Sequence, residues 1–306
     1  MTEFTYYTII GKDLELFKGH VKNIKKYAGF DKLPCKKNFN VIIYKNNKIK
    51  KETTDSILDY CIEQNINPII YDEPTDIFID NLYACWNLGY ETASDGYVFR
   101  GGSDQVFSKN SFLALYDAAE KFSKDFPKKN VILQANTIEC KNRLRMVGVK
   151  KSRHFEEDFG DNFSNMDYDS FEKFIKQINS FVKENLVTIE MALEYWKKPT
   201  SFYGKFGKTN RTDGCSWLMT KQDWLNYGPL PVYENSITGD VIIHDRCQEK
   251  GYENYIVKDC ITYHFVQGES SDKQASSKKV TTSNNFIKKI IRNIKSRNKY
   301  FFKIKQ

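Results

Sequence analysis

Nowhere does the 306-residue chain hold the ~20 continuous apolar residues that a bilayer-spanning helix needs, so no membrane span is expected. The first ten residues, MTEFTYYTII, lack a basic leader ahead of a long apolar run, and no signal peptide is expected. The seven cysteines (Cys35, Cys61, Cys85, Cys140, Cys215, Cys247 and Cys260) include no C-x-x-C pair and form no even framework. That pattern argues against a thiolate zinc site and for free thiols in a reducing, cytoplasmic compartment. No internal repeat is visible, which excludes solenoid and propeller architectures. What is plentiful is hydrophobic (40%) and aromatic (15%) side chain, enough for the core of a folded α/β domain.

A net positive balance is also missing from most of the chain, despite a formal net charge of +8. Residues 271–306 carry eleven of the 47 Lys and Arg and one acid, Asp272, which leaves residues 1–270 with 36 basic against 38 acidic side chains. A body of that balance disfavours nucleic acid as a partner, because nucleic-acid binding needs a basic face. In the tail, Phe286, Ile287, Ile290, Ile291 and Ile294 recur at helical spacing among Lys288, Lys289, Arg292 and Lys295. This predicts a basic amphipathic helix over 284–306 behind a Ser-rich linker, suited to peripheral contact with an anionic membrane surface; the alternatives are a helix packed back on the body, or disorder.

The pattern of the remaining residues alternates strand and helix. Strands are expected at Thr5–Ile10, Asn40–Tyr44, Pro68–Tyr71, Tyr97–Phe99 and Asn130–Ala135. Between them the apolar spacing predicts helices after Leu14, from a cap at Thr54, over Asp76–Ala93 and over Ser108–Phe126. This order implies βαβ units and a doubly wound, mainly parallel sheet. Further on, Cys140–Asn165 reads as a polar loop, Ser201–Thr212 as a Gly-rich basic loop and Gly214–Thr220 as a strand. Lys221–Tyr227 reads as a short helix, Thr238–Gly251 as another, and Tyr255–Val257 and Ile261–Phe265 as two strands.

The chain is organised around Asp80–Phe112, where a helix, an apolar strand and a polar turn bearing Asp104 succeed one another. Ligands of open α/β sheets bind at the carboxyl ends of strands, so an acid in that turn can hold a metal beside a phosphate; equally, it can cap the following helix. Asp240 opens a helix, as a capping acid or as a general base. His244, one turn later, is a site or a structural histidine, and His264 at the end of an apolar strand is a structural residue or a metal ligand. Trp217 is a core residue or a platform for a sugar ring. Gly101-Gly102 permits close backbone approach to a phosphate.

The order of these pieces over residues 5–270 resembles the family 2 glycosyltransferases. Residues Asn81–Gly89 resemble that family's A-R-N-x-G helix, and Ala93–Phe112 resemble its hydrophobic strand, acidic turn and helix start. Gly214–Met219 with Lys221–Gly228 resemble the acceptor-site strand and helix; Gly239-Asp240, Arg246–Gly251 and Tyr263-His264 resemble the E-D, R-x-x-x-x-G and Y-H elements. The resemblance implies a GT-A fold with a Rossmann-like nucleotide-binding half (1–135), an acceptor-binding half (136–270) and the 271–306 tail. It implies an inverting, metal-assisted transfer of a sugar from a UDP- or GDP-linked donor to a glycan, lipid or protein hydroxyl. Asp240 would be the base, and Asp104 and His264 the ligands of Mn2+ or Mg2+. Ile10, Asn46, Asp55, Asn81, Asn87, Gly102 and Ser103 would contact the nucleotide sugar, and Gly214, Trp217 and His244 the acceptor. The chain departs from the pattern at Gly102, where the first acid of D-x-D is expected, at Gln105, at Gly239 and at Asn46-Asn47. Those departures motivate two competing readings: a non-catalytic GT-A-like domain that binds a glycan or partner, and, through the basic tail, a sugar transferase acting on nucleic acid. A nucleotidyltransferase would need a basic Gly-rich loop after the first strand, and Gly11-Lys12-Asp13 does not supply one.

Overall fold

The computed structural model describes residues 2–11, 14–45, 49–72, 78–127, 129–139, 172–173, 176, 201–203, 206–209, 216–230, 245–246 and 249–264; for 78–81, 138–139, 201–203 and 206–209 it describes the backbone alone. In chain order the principal elements are β1 (Glu3–Ile10), α1 (Leu14–Lys22), β2 (Lys37–Lys45), α2 (Lys51–Glu63), β3 (Asn67–Asp72), α3 (Phe78–Glu91) and β4 (Gly96–Arg100). Then follow β5 (Gln105–Phe107), α4 (Ser111–Asp125), β6 (Val131–Glu139), β7 (Ser201–Tyr203), β8 (Phe206–Thr209), β9 (Trp217–Thr220), α5 (Lys221–Tyr227) and β10 (Glu253–His264).

Among the described residues one ten-stranded sheet runs in the order β3-β2-β1-β4-β9-β6-β10-β8-β7, with β5 paired to β10 beside this path. The ladders β1–β2, β1–β4, β2–β3 and β6–β10 are parallel and carry most of the registered residues. β9 enters antiparallel between β4 and β6. It therefore keeps β6 and β10 pointing the same way as β1 to β4, and the carboxyl ends of all six lie along one edge. The order reverses at β1, which has β2 on one side and β4 on the other; such a switch point opens a crevice beyond the strand ends.

Period-two alternation gives both sheet faces an apolar side. Phe4 and Tyr6, Phe39, Val41 and Ile43, and Tyr97 and Phe99 pack with Phe17 and Val21 of α1, Ile57 and Cys61 of α2 and Phe112 and Leu115 of α4. On the opposite face Tyr7, Ile42, Tyr44 and Val98 pack with Tyr83, Trp86 and Tyr90 of α3 and Trp224 and Tyr227 of α5. Coverage on both faces is why β2 reads as a continuous apolar run rather than an alternating one.

Four sequence expectations are corrected. Thr54 does not cap α2: the helix starts at Lys51 after an extended Lys50, and Thr54 is buried inside it, because Lys51, Glu52 and Thr53 continue the helix towards its amino end. The segment 201–212, expected as a Gly-rich loop, contributes β7 and β8 to the sheet, where β8 finds a partner in β10. The two strands expected at 255–265 are one strand, β10, broken by a bulge between Val257 and Ile261 that leaves Lys258 and Asp259 exposed. Finally, β5 was not expected at all. The segments 140–165 and 265–306, the latter with the basic amphipathic tail, lie outside the described residues.

Candidate active site

Asp104 sits on the carboxyl edge, in a four-residue turn (Gly102–Gln105) that leaves β4 and enters β5. The turn is built by hydrogen bonds that the sequence supplies locally. The Gly101 N–H donates to the Tyr7 carbonyl of β1 at 3.1 Å, and the Gln105 N–H donates to the Gly102 carbonyl at 3.2 Å. The Gln105 side chain, wholly buried, accepts from the Gly102 N–H at 2.7 Å and donates to the Ser216 hydroxyl at 3.1 Å, which ties the turn to the start of β9. Gln105 stands where a further acid is common in the resembling family. An acid there would bury a charge and lose the donor to Ser216.

The two glycines before Asp104 stand in close quarters. A Cβ on Gly101 would lie 2.5 Å from the Tyr6 hydroxyl, and a Cβ on Gly102 would lie 2.6 Å from Asp104 Oδ1. A side chain at 102 would meet the end of the Asp104 carboxylate, which would have to turn away from its present position.

Across the turn stands His264, the last residue of β10, with Nε2 3.1 Å from Asp104 Oδ2. The two are brought together by the antiparallel pairing of β5 with β10, in which Gln105 lies opposite His264. Burial alone would raise the Asp104 carboxyl, but the charge and hydrogen bond of His264 and the residue's own backbone N–H together hold it below the usual carboxylate range. Asp104 is thus an anion at neutral pH. It does not cap α4, which begins only at Ser111, behind β5 and an Asn110 in the left-handed conformation.

Asp104 and His264 are the described side chains that could hold a divalent cation accepting both oxygen and imidazole ligands, such as Mn2+. Their facing atoms are hydrogen-bonded to each other at 3.1 Å, a bond that a cation bound between them would replace, and both side chains retain some exposure (16% and 18%). Among the described residues no third His, Cys, Asp or Glu joins them, so the remaining positions would fall to ligand oxygens and water.

His20, which sequence reasoning missed, supports the turn from behind. It is wholly buried in α1, and burial lowers its pKa to about 4 against the opposing pull of the Gln105 carbonyl and the Asp104 charge. The imidazole is therefore neutral. Since a carbonyl can only accept, Nδ1–H donates to the Gln105 carbonyl at 2.8 Å, and Nε2 accepts from the Tyr6 hydroxyl at 2.8 Å. No periodicity announces such a residue; its partners lie 14 and 85 positions away.

The remaining candidates are placed as follows. Ile10 is buried at the end of β1, Ser103 lies in the Asp104 turn, and Asp55 is exposed on α2. Asn87 is buried in α3 with its amide engaged at both ends, donating to the Leu230 carbonyl at 2.9 Å and accepting from the Leu230 N–H at 2.8 Å. Here it anchors the loop after α5. Arg246 holds the same loop from the other side, donating to the carbonyls of Gly228 and Pro229 at 2.7 and 2.6 Å. Asn46, Gly214, Asp240 and His244 lie outside the described residues, as does the side chain of Asn81.

Trp217 is corrected as a sugar platform. It is wholly buried in β9, edge-on to Trp86 with ring centroids 5.3 Å apart, and the Arg100 guanidinium lies 4.5 Å from its ring centroid and 3.7 Å from that of Trp86. A buried cation between two indoles is a structural element, worth about 2 kcal/mol when desolvated. Trp217→Ala is expected to cost about 3–4 kcal/mol of stability, read from the shift in the denaturant midpoint. An exposed acceptor platform would give little shift.

No family model matches the chain, and no curated protein matches it. Solved structures do. GalNAc-T7, solved with UDP, GalNAc and Mn2+, aligns over 86% of this chain and 43% of its own, at 8% identity and a TM-score of 0.52. The mannosyltransferase PcManGT from Pyrobaculum calidifontis, in complex with GDP-Man and Mn2+, aligns over 87% and 57%, at 12% identity and a TM-score of 0.47. S. aureus TarS aligns over 86% and 36%, at 11% identity and a TM-score of 0.45. The chain spans less than two thirds of the length of each of these proteins. The α/β architecture, with its mixed and mostly parallel sheet, is the GT-A type of fold.

Proposed function

We propose that the protein is a glycosyltransferase of the family 2 kind, moving a sugar from a nucleoside-diphosphate sugar to an acceptor hydroxyl. The observation that carries the reading is the Asp104–His264 pair at the carboxyl edge of a GT-A-type sheet. Fold alone would not do so, since one fold hosts many activities. The UDP and Mn2+ bound to GalNAc-T7 support a donor of the same chemical class here.

In this reading residues 1–135 bind the donor and 136–270 the acceptor. Asp104 and His264 would hold Mn2+ or Mg2+, which when bound neutralises charge on the diphosphate leaving group. Gly101 and Gly102 let the chain approach the phosphates without a side chain between. Asp240 takes the proton from the acceptor hydroxyl as that oxygen attacks the anomeric carbon from the face opposite the diphosphate, so configuration inverts. One base suffices because the leaving group departs as an anion that needs no protonation, unlike the glycosidic oxygen of a hydrolase, which requires a second carboxyl.

The test is a panel of UDP- and GDP-sugars with Mn2+ or Mg2+, scored for release of the nucleoside diphosphate. Release from at least one donor, abolished by EDTA and restored by added metal, is the expected result. Binding of a nucleotide sugar with no release from any donor, in the presence of varied acceptors, would favour the non-catalytic binding domain instead.

A further inference from the structure

β5 is only three residues long, yet with Ser108–Asn110 it makes the whole connection between Asp104 and α4. One of its edges is covered by β10, which changes neighbour at the bulge: β8 pairs with Asn254–Val257 and β5 with Thr262–His264 on the same side. The other edge has no strand beside it among the described residues. Its backbone groups are nevertheless satisfied. Asn23 accepts from the Phe107 N–H at 2.7 Å and donates to the Phe107 carbonyl at 3.0 Å, the two bonds that a neighbouring strand residue would make. His20 donates to the Gln105 carbonyl, and the Gln105 N–H closes the turn onto Gly102. His20, Asn23, Gln105 and Phe107 are all wholly buried, so each of these groups would otherwise be an orphan in a dry environment.

Local helix geometry makes this clamp possible. α1 ends at Lys22 and the chain continues as a π-helical turn over Asn23–Tyr27, closed by the Ala28 N–H donating to the Asn23 carbonyl at 2.8 Å. His20 and Asn23, three residues apart, point at alternate residues of β5. π-helical turns of this kind recur at functional sites, where they re-aim side chains. The same His20 also meets the Tyr6 hydroxyl, which abuts Gly101 on the other arm of the turn.

We propose that His20 and Asn23 are positioning residues that act as a surrogate strand, clamping the free edge of β5 so that Asp104 is held opposite His264. The inference deepens the transferase reading, since a ligand pair works only when its outer partners fix its orientation. Substitution of a group bonded directly to a metal ligand typically lowers metal affinity or activity about 10–100-fold, the scale taken for His20 and Asn23, which act one step further out through the Gln105 and Phe107 backbone.

The experiment compares His20→Asn, which keeps a donor at the place of Nδ1, with His20→Gln, which reaches towards Tyr6 but loses that donor; Asn23→Ala serves as a second probe. All are made in the 306-residue chain and checked for folding by thermal midpoint. Two quantities are read: hydrogen exchange of the 104–107 amides in metal-free protein, and Mn2+ affinity in the presence of UDP. The expected result is faster exchange and about 10–100-fold weaker Mn2+ binding for His20→Gln and Asn23→Ala, with His20→Asn close to wild type. Unchanged exchange in the folded His20→Gln and Asn23→Ala variants would overturn the clamp. Faster exchange with unchanged Mn2+ affinity would overturn its positioning role. If the wild-type protein binds neither Mn2+ nor a nucleotide sugar, the transferase reading fails, while the exchange comparison still decides the clamp.

Discussion

Asp104→Asn is expected to lower sugar transfer about 10^3-fold and to weaken Mn2+ binding, while leaving the thermal midpoint close to that of the wild type. The substitution keeps the shape of the side chain, and an amide oxygen can still accept from His264. What it removes is the negative charge, which the surroundings of Asp104 hold in place against the cost of burial. An outer-shell partner of a metal typically matters about 10–100-fold, and a ligand itself should matter more. Raising the metal concentration should restore part of the loss, because the defect is one of affinity. Transfer within about tenfold of wild type would remove Asp104 from the metal site and reduce its pairing with His264 to a structural hydrogen bond.

The fold was legible where the sequence has a period. β1 to β4 and α1 to α4 follow apolar runs and helical spacings long enough to be counted, and their alternation implies the doubly wound arrangement. What stayed hidden is what has no period. Three residues of β5 cannot show an alternation, and they hide between a polar turn and a helix whose start was placed three residues too early. Two strands were read into β10 because its bulge at Val257–Ile261 interrupts the apolar run.

The site divides the same way. Asp104 and His264 are visible because each follows an apolar run, Asp104 in the polar turn after β4 and His264 as the last residue of β10. That they meet depends on the β5–β10 pairing, a contact across 160 positions. His20, Asn23 and Gln105 gave no signal, since each serves backbone groups or side chains distant in sequence. Gly102 reads as a missing acid in the sequence; in the structure a side chain there would meet the Asp104 carboxylate, which would have to move. Trp217 was open between core and platform, and only the neighbourhood of Arg100 and Trp86 decides for the core.

The second acid calls for a different signature. Asp240 opens a helix in the sequence, and the alternative to a general base is a carboxylate that caps it. Asparagine separates the two roles, because it caps a helix about as well as aspartate but cannot take a proton from a hydroxyl. Asp240→Asn is therefore expected to reduce kcat about 10^3-fold, within the 10^2–10^4 range of general base catalysis, with thermal midpoint and nucleotide-sugar Kd unchanged. Added metal should not rescue it, in contrast to Asp104→Asn. Near-wild-type turnover in Asp240→Asn would leave Asp240 as a cap, and the proton would have to leave the acceptor by another group.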